Sequence, residues 1–404
     1  MALPLETARE ILLNNARTMA AEEVALAECW QRVLAVEVAA EADFPPFDRS
    51  PLDGFALVAA EVEAASRERP VVLNVVDDIP AGSVPRATVR PGTAAKIMTG
   101  APLPPGATGV VRREDTCEAN GQVTVFAGAG VAANICRRGE EIAAGEKVIA
   151  AGTVANAGVM GLLALLGVAG PQVYKRPRVA LLATGSEVAP VDAPLAAGAI
   201  RNSNSYMLTA QVREAGAAPV LLGIARDEVT AIAARLQAAA ACDLVITTGG
   251  VSAGDYDLLS DVYKELGIAT LFARVGMKPG MPVLAGLKDG KLYIGLSGNP
   301  AAASVAFEQL VRPLLLKMGG RRELGRPRAR AVLTAPFTKP STAKRFVWAR
   351  CQPSDGGLTV APLPLQGNGM LKSAVTANAL IAIPAGSPPL AAGSPVEIYL
   401  LTDL

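Results

Sequence analysis

Three glycine-bearing loops, each placed directly after an apolar run, constrain this chain more than any other feature. Residues 179–183 (VALLA) lead into Thr184, Gly185, Ser186 and Glu187. Residues 244–246 (LVI) lead into two threonines, Gly249 and Gly250, with Ser252, Gly254, Asp255 and Asp257 behind them. Residues 292–296 (LYIGL) lead into Ser297, Gly298, Asn299 and Pro300. An apolar run that ends in a turn signal reads as a buried strand feeding a loop. Stretches with helical patterning lie between and after these runs, at 203–215, from Asp227 to about 240, 258–266 and 302–318. Strands alternating with helices predict a mostly parallel sheet with right-handed crossovers. In such a sheet the loops that follow the strands gather on one edge, where ligands bind. Glycines there let the backbone approach a ligand and expose consecutive N–H groups, which suits a phosphate. The nearby carboxylates can hold a divalent cation such as Mg²⁺. The expectation is therefore a phosphate- or nucleotide-type site on this edge. Each motif also has a plainer reading as a turn with a solvated acidic end, and Asp227 as a helix N-cap.

Composition narrows the chemistry. The chain has 404 residues and no histidine. That length predicts two to four domains. Without histidine, Ser-His-Asp and Cys-His catalysis and ordinary His-containing zinc sites are excluded. Acid–base work must rest on carboxylates, Lys, Tyr, Cys or metal-bound water. Lys+Arg 38 against Asp+Glu 37 gives no electrostatic footprint for nucleic acid or an anionic membrane. The five cysteines are scattered without a CxxC, as expected of free thiols in a reducing compartment. The first residues, MALPLETARE, lack the apolar core of a signal peptide, and the apolar stretch 160–170 is too short to span a bilayer. A soluble cytoplasmic protein is expected.

The remaining segments are read in order. Residues 5–20 and 21–37 carry apolar residues at helical spacing and predict two helices, serving as an arm, a dimerisation surface or ordinary packing elements. Residues 47–56 (FDRSPLDGFA) read as a turn flanked by Asp48 and Asp53. Short β-type runs fill 71–127, and within them Lys96 to Pro104 places Thr99 and Gly100 at a strand end. The cluster Arg137-Arg138-Gly139-Glu140-Glu141 reads as a solvated loop, or as paired arginines able to hold a phosphate. A helix is expected over 156–168. After a basic linker at 321–327, residues 328–404 read as a small β barrel or sandwich.

These residues together resemble the MoeA family of molybdopterin molybdenumtransferases, which is related to the gephyrin E domain. The matching stretches are FDRSPLDGFA, KIMTGAPLPPGATGVV, RRGEEIAAGE, LLATGSEV, IRNSNSYML, TTGGVSAGDYD, KPGMP, SGNPAAA and QGNGMLKS. They cover essentially the whole chain in order. The resemblance implies a multidomain α/β plus β fold with four parts. These are a discontinuous helical linker domain (1–44 and 141–173), an inserted β domain (45–140), an α/β molybdopterin-binding domain with a parallel-type sheet (174–320) and a C-terminal β barrel (321–404). It also implies an elongated homodimer whose active cleft is shared between subunits.

The implied reaction inserts molybdate into the dithiolene of adenylylated molybdopterin (molybdopterin-AMP), with Mg²⁺ or another divalent cation, and releases AMP and molybdenum cofactor. By motif position the resemblance makes Asp53, Thr99, Glu187, Asp227 and Asp257 catalytic, with Asp257 and Glu187 at the metal. Asp53 and Thr99 would act at the molybdate or dithiolene end. Thr184, Gly185, Ser186, Gly249, Gly250, Ser252, Gly254, Lys278, Gly298, Asn299 and Pro300 would bind the pterin substrate. A molybdopterin adenylyltransferase and molybdoenzyme apo-proteins are implied partners. Two departures stand out: Ser297 replaces the family's usual proline, which predicts a less rigid loop, and Met281 replaces a frequent lysine. They keep open a paralogue acting as a pterin-binding or scaffold module. A molybdopterin adenylyltransferase is the other alternative.

Overall fold

The computed structural model describes residues 2–251 and 258–402. The chain divides into two compact units. One comprises residues up to Ala35, Gly152–Met160 and everything from Gly170 onward; the other comprises Val36–Ala151 and Gly161–Ala169.

The second unit is built on six strands: β1 (Gly54–Leu57), β2 (Val71–Ile79), β3 (Thr93–Ile97), β4 (Gly109–Arg112), β5 (Thr116–Ala119) and β6 (Gln122–Val125). They pair in the order β4-β1-β3-β2-β6-β5, antiparallel except for β2 with β3. Successive side chains point to opposite faces of a strand. Accordingly Phe55, Leu57 and Val111 enter one apolar cluster, and Ala56, Ala95 and Val110 enter another. Strand β1 falls partly within the segment read from sequence as a turn. Its four residues are all buried, so no alternation marks them. Gly54 is required here, because a Cβ would sit 1.8 Å from the Val111 carbonyl oxygen on β4.

The first unit carries the α/β sheet. Its strands are β7 (Arg178–Thr184), β8 (Ala218–Ala225), β9 (Leu244–Thr248), β10 (Ala269–Arg274), β11 (Pro282–Lys288) and β12 (Lys291–Leu296). The order is β8-β7-β9-β12-β11-β10. The first four are parallel, whereas β11 and β10 are antiparallel additions at one side. The sheet is therefore mixed, with the three loop-bearing strands in its parallel part. Helices cover both faces, which is why these strands are near-continuous apolar runs. Val179, Leu181, Leu244 and Ile246 face one core with α1 (Leu5–Asn14) and α2 (Asn204–Glu214). Ala180, Leu182 and Val245 face the other with α3 (Val229–Gln237) and α4 (Leu258–Glu265).

Helix α1 is an ordinary packing helix, with Leu5, Ala8 and Leu12 buried. The second helix expected over 21–37 does not form. That segment holds a strand, Ala21–Glu23, a single 3₁₀ turn, Leu26–Glu28, and isolated bridges at Val33 and Leu34. Ala21–Glu23 pairs with Gln172–Tyr174, and the Leu34 and Ala35 amides donate to Thr153 and Gln172 carbonyls. These distant backbone partners override a weak helical propensity. Helix α5 (Pro300–Ala306) passes through a π turn, Phe307–Val311, into α6 (Arg312–Met318). Pro313 has no N–H to offer the Gln309 carbonyl, which instead accepts the Arg9 Nε–H at 2.9 Å.

The C-terminal region forms β13 (Arg328–Leu333), β14 (Lys344–Ser354), β15 (Gly357–Pro362), β16 (Ala379–Ile383) and β17 (Pro395–Leu400). Pairing runs β14-β15-β13-β17-β16 and returns to β14, a closed five-stranded barrel. Among the described residues, no helix is long and apolar enough to cross a membrane.

Candidate active site

Register aligns the ends of the three loop-bearing strands. Ala183 on β7 pairs with Thr248 on β9, which pairs with Leu296 on β12. The loops that follow wall a cavity of about 780 Å³. Thr184, Gly185, Glu187, Asp227, Gly249, Gly250, Gly298, Asn299 and Pro300 all line it. The Thr184 hydroxyl donates to the Thr248 carbonyl at 3.3 Å, and the Gly249 N–H donates to the Leu296 carbonyl at 3.1 Å. Gly249 and Gly250 adopt φ of +98° and +66°, the left-handed region that glycine enters at little cost. Ser252, Gly254 and Asp257 lie outside the described residues.

Asp227 is not a helix cap. Helix α3 starts two residues later at Val229, and Glu228 occupies its N-cap position. The Asp227 carboxylate instead accepts the Ser186 N–H at 2.9 Å, while the Asp227 N–H donates to the Ser186 hydroxyl at 3.2 Å. This reciprocal pair ties the Thr184–Glu187 loop to the end of β8. Ser186 thus fixes the wall without being part of it. Lys278 is not on the cavity wall either; Met277 and Lys278 pair with Lys344 and Arg345 of β14.

Ser297 brings its loop a hydrogen bond that the family's proline could not make. Its buried hydroxyl accepts the Asn299 N–H at 3.2 Å, a local clasp of the Ser-turn type. Asn299 is the N-cap of α5 and Pro300 opens the helix, where its missing N–H costs nothing. Ile200, Arg201, Asn202, Ser203 and Asn204, none of them assigned to the site from sequence, all line the cavity. Asn204 Nδ2–H donates to the Gly298 carbonyl at 2.7 Å, and Asn202 Oδ1 accepts the Ser205 N–H at 3.1 Å. The available signal was the Asn-Ser-Asn run at the start of a helix, where such side chains satisfy free backbone donors.

The other unit holds its own pair. Asp53 Oδ1 accepts both the backbone N–H and the hydroxyl of Thr99, each at 2.7 Å. The Thr99 amide, the Thr99 hydroxyl and the nearby Arg113 charge, in that order, hold the Asp53 carboxyl below its ordinary range. A depressed folded-state pKa means the clasp is favoured above the ordinary aspartate value and lost as pH falls through the lower one. An NMR titration of the Asp53 carboxyl should therefore give a midpoint below about 3.9, and Thr99→Val should move it upward. A midpoint at or above the ordinary value would contradict the clasp. Arg137 and Arg138 are not a free phosphate clamp. Arg137 Nη1 donates to Asp48 at 2.7 Å and Arg138 Nε to Asp43 at 2.6 Å.

Three family models match the chain in succession: the MoeA N-terminal region (domain I and II) over residues 3–167, the "Probable molybdopterin binding domain" over 180–317, and the MoeA C-terminal region (domain IV) over 330–401. The chain belongs to the MoeA family. Among curated proteins it is similar to a molybdopterin molybdenumtransferase of Bacillus subtilis strain 168, at 38% identity over 99% of this chain and 94% of that one. A Staphylococcus aureus (strain MRSA252) protein of the same name is 37% identical over 98% of this chain and 95% of its own. Among solved structures, a molybdopterin biosynthesis MoeA protein from Pyrococcus horikoshii OT3 superposes with a TM-score of 0.84 at 28% identity, covering 99% of this chain and all of that one. The cavity lies within the residues matched by the "Probable molybdopterin binding domain" model.

Proposed function

We infer that this chain is a molybdopterin molybdenumtransferase of molybdenum cofactor biosynthesis. Its substrates are molybdopterin, taken in adenylylated form, and molybdate; molybdenum enters the dithiolene and the adenylate is cleaved to release AMP. The observation that carries this reading is the glycine-walled cavity at the parallel strand ends, set within a full-length family match. That match also speaks against the scaffold and adenylyltransferase alternatives.

The chemistry asks for charge neutralisation around phosphate oxygens and for a rigid cradle. Gly249, Gly250 and Gly298 let the backbone close on a phosphate, and Asn204 holds the Gly298 carbonyl. Asp227 fixes the loop that carries Glu187. Among the described residues, no group of three or more acidic or sulfur ligands forms a closed metal site. Mg²⁺ does not need one, since it is commonly held by one or two carboxylates together with substrate phosphates. The donor set of this cavity fits that habit: Glu187 and Asp227 line it, and by motif position Glu187 and Asp257 would hold the cation. Bound there, the cation would neutralise charge on the phosphate oxygens.

Asp53 and Thr99 are assigned to the molybdate or dithiolene end, in a homodimer whose sites are shared between subunits; this rests on their motif positions. The adenylyltransferase that makes the substrate and the apo-enzymes that receive the cofactor are the expected partners. A cytoplasmic setting accords with cysteines that are all unpaired. The test is AMP release from adenylylated molybdopterin with Mg²⁺, with and without molybdate. Molybdate-dependent release is expected. Its absence from folded protein would defeat the transferase reading.

A further inference from the structure

The cavity sets an electrostatic problem that its named residues do not solve. Two carboxylates, Glu187 and Asp227, line it, and its expected ligand carries phosphate. A dication would offset part of that charge. Among the described lining residues only Arg201 is cationic. Lys278 is elsewhere, and position 281, often lysine in the family, is an exposed methionine.

Arg201 is placed rather than free. It lies on a two-residue strand, Ile200–Arg201, that pairs with Val188–Ala189 just beyond Glu187. Its Nε–H donates to the Val191 carbonyl at 3.0 Å, which fixes the plane of the guanidinium. That uses one of five N–H donors. No carboxylate among the described residues lies within ion-pair distance of it. Four other arginines, Arg32, Arg137, Arg138 and Arg326, are instead each committed to a carboxylate. An oriented guanidinium on a cavity wall, with its outer fork uncommitted to any carboxylate, matches the geometry of a phosphoryl group.

We propose that Arg201 is a substrate-binding residue that grips a phosphoryl group of the adenylylated substrate. This rests on the transferase reading. The test is equilibrium binding of AMP and of adenosine to the full-length protein, wild type against Arg201→Ala and Arg201→Lys, at fixed ionic strength with Mg²⁺. Losing hydrogen bonds to a charged partner should weaken AMP binding roughly tenfold to hundredfold in Arg201→Ala. Arg201→Lys should fall between, because it keeps the charge and loses the fork. Adenosine, lacking the phosphate, should bind all three proteins alike. Unchanged AMP binding in Arg201→Ala would overturn the proposal. So would equal weakening of AMP and adenosine, the mark of a structural role. Wild-type protein that binds no AMP would overturn it too; if that protein still releases AMP from adenylylated molybdopterin, the transferase reading survives on its own.

Discussion

Glu308→Ala should be the most destabilising single substitution in the α/β unit outside its apolar core. The Glu308 side chain is only 3% exposed. Its carboxylate receives Arg326 through Nε at 2.9 Å and Nη2 at 3.1 Å, a bidentate pair, and also the Gln211 amide at 3.1 Å. Arg326 in turn donates Nη1–H to the Leu401 carbonyl at 2.7 Å, at the end of the barrel's last strand. One carboxylate thereby joins the π turn, helix α2, the linker and the barrel. Burial works against the Arg326 charge, but the Glu308 hydrogen bond and the Glu308 and Glu214 charges outweigh it and hold the guanidinium above its ordinary range. Removing the carboxylate leaves Arg326 only the exposed Glu214, at 3.4 Å, and breaking a buried pair this way costs about 3–5 kcal/mol. Urea unfolding followed by tryptophan fluorescence should show a midpoint well below wild type. Replacing both partners, Glu308→Leu with Arg326→Met, should recover part of the loss, since it removes the Arg326 charge, while Arg312, 3.9 Å from Glu308, still loses its partner. A double variant as weak as Glu308→Ala would show that the pair is not the cause.

The distribution of what could be read in advance has a physical logic. The parallel strands were legible because they are buried on both faces and end in glycine turns, so run length and punctuation agree. All five barrel strands lie within residues 328–404, read as a small β barrel or sandwich. Strand β1 and the segment 21–37 were misread for opposite reasons. The first is too short and too buried to show a period. The second has a helical period, yet its amides find carbonyls more than 100 residues away, at Thr153 and Gln172. The site followed the same rule. Thr184, Gly185, Glu187, Gly249 and Asn299 were found because each adjoins a strand end, a local signal. Arg201 and Asn204 were missed because neither adjoins the end of a strand of the α/β sheet, and only the folded chain brings Asn204 to Gly298. Asp227 was read with a capping alternative because an acid before a helix has a common local duty. Its partner at Ser186 is 41 residues distant.

Gly249→Ala should abolish AMP release while leaving the unit folded. A Cβ at this position would stand 2.4 Å from the Thr184 carbonyl oxygen and 2.7 Å from its hydroxyl oxygen. Neither atom can retreat freely: Thr184 ends β7, and its hydroxyl is bonded to Thr248. Gly249 must therefore move, breaking its N–H bond to Leu296 and displacing the strand-end loop that walls the cavity. The conformation itself also resists, since φ is +98°; holding a non-glycine residue in such a region costs about 1–3 kcal/mol. Two comparisons separate these effects. Gly121→Ala imposes a similar backbone strain at φ +75° with nothing within 4 Å, in a turn of the other unit, and should lower stability modestly with turnover intact. Gly250→Ala meets its nearest neighbour, the Thr184 hydroxyl oxygen, at 3.4 Å and should reduce activity less than Gly249→Ala does. Because turnover depends on atoms held within about 1 Å, a displaced loop should lower the rate of AMP release by at least about a hundredfold. The strand interiors that form the core are untouched, so the unfolding midpoint should fall by far less than in Glu308→Ala. Wild-type turnover in Gly249→Ala would mean that the loop tolerates displacement, and that the phosphate cradle is not where the strand ends converge.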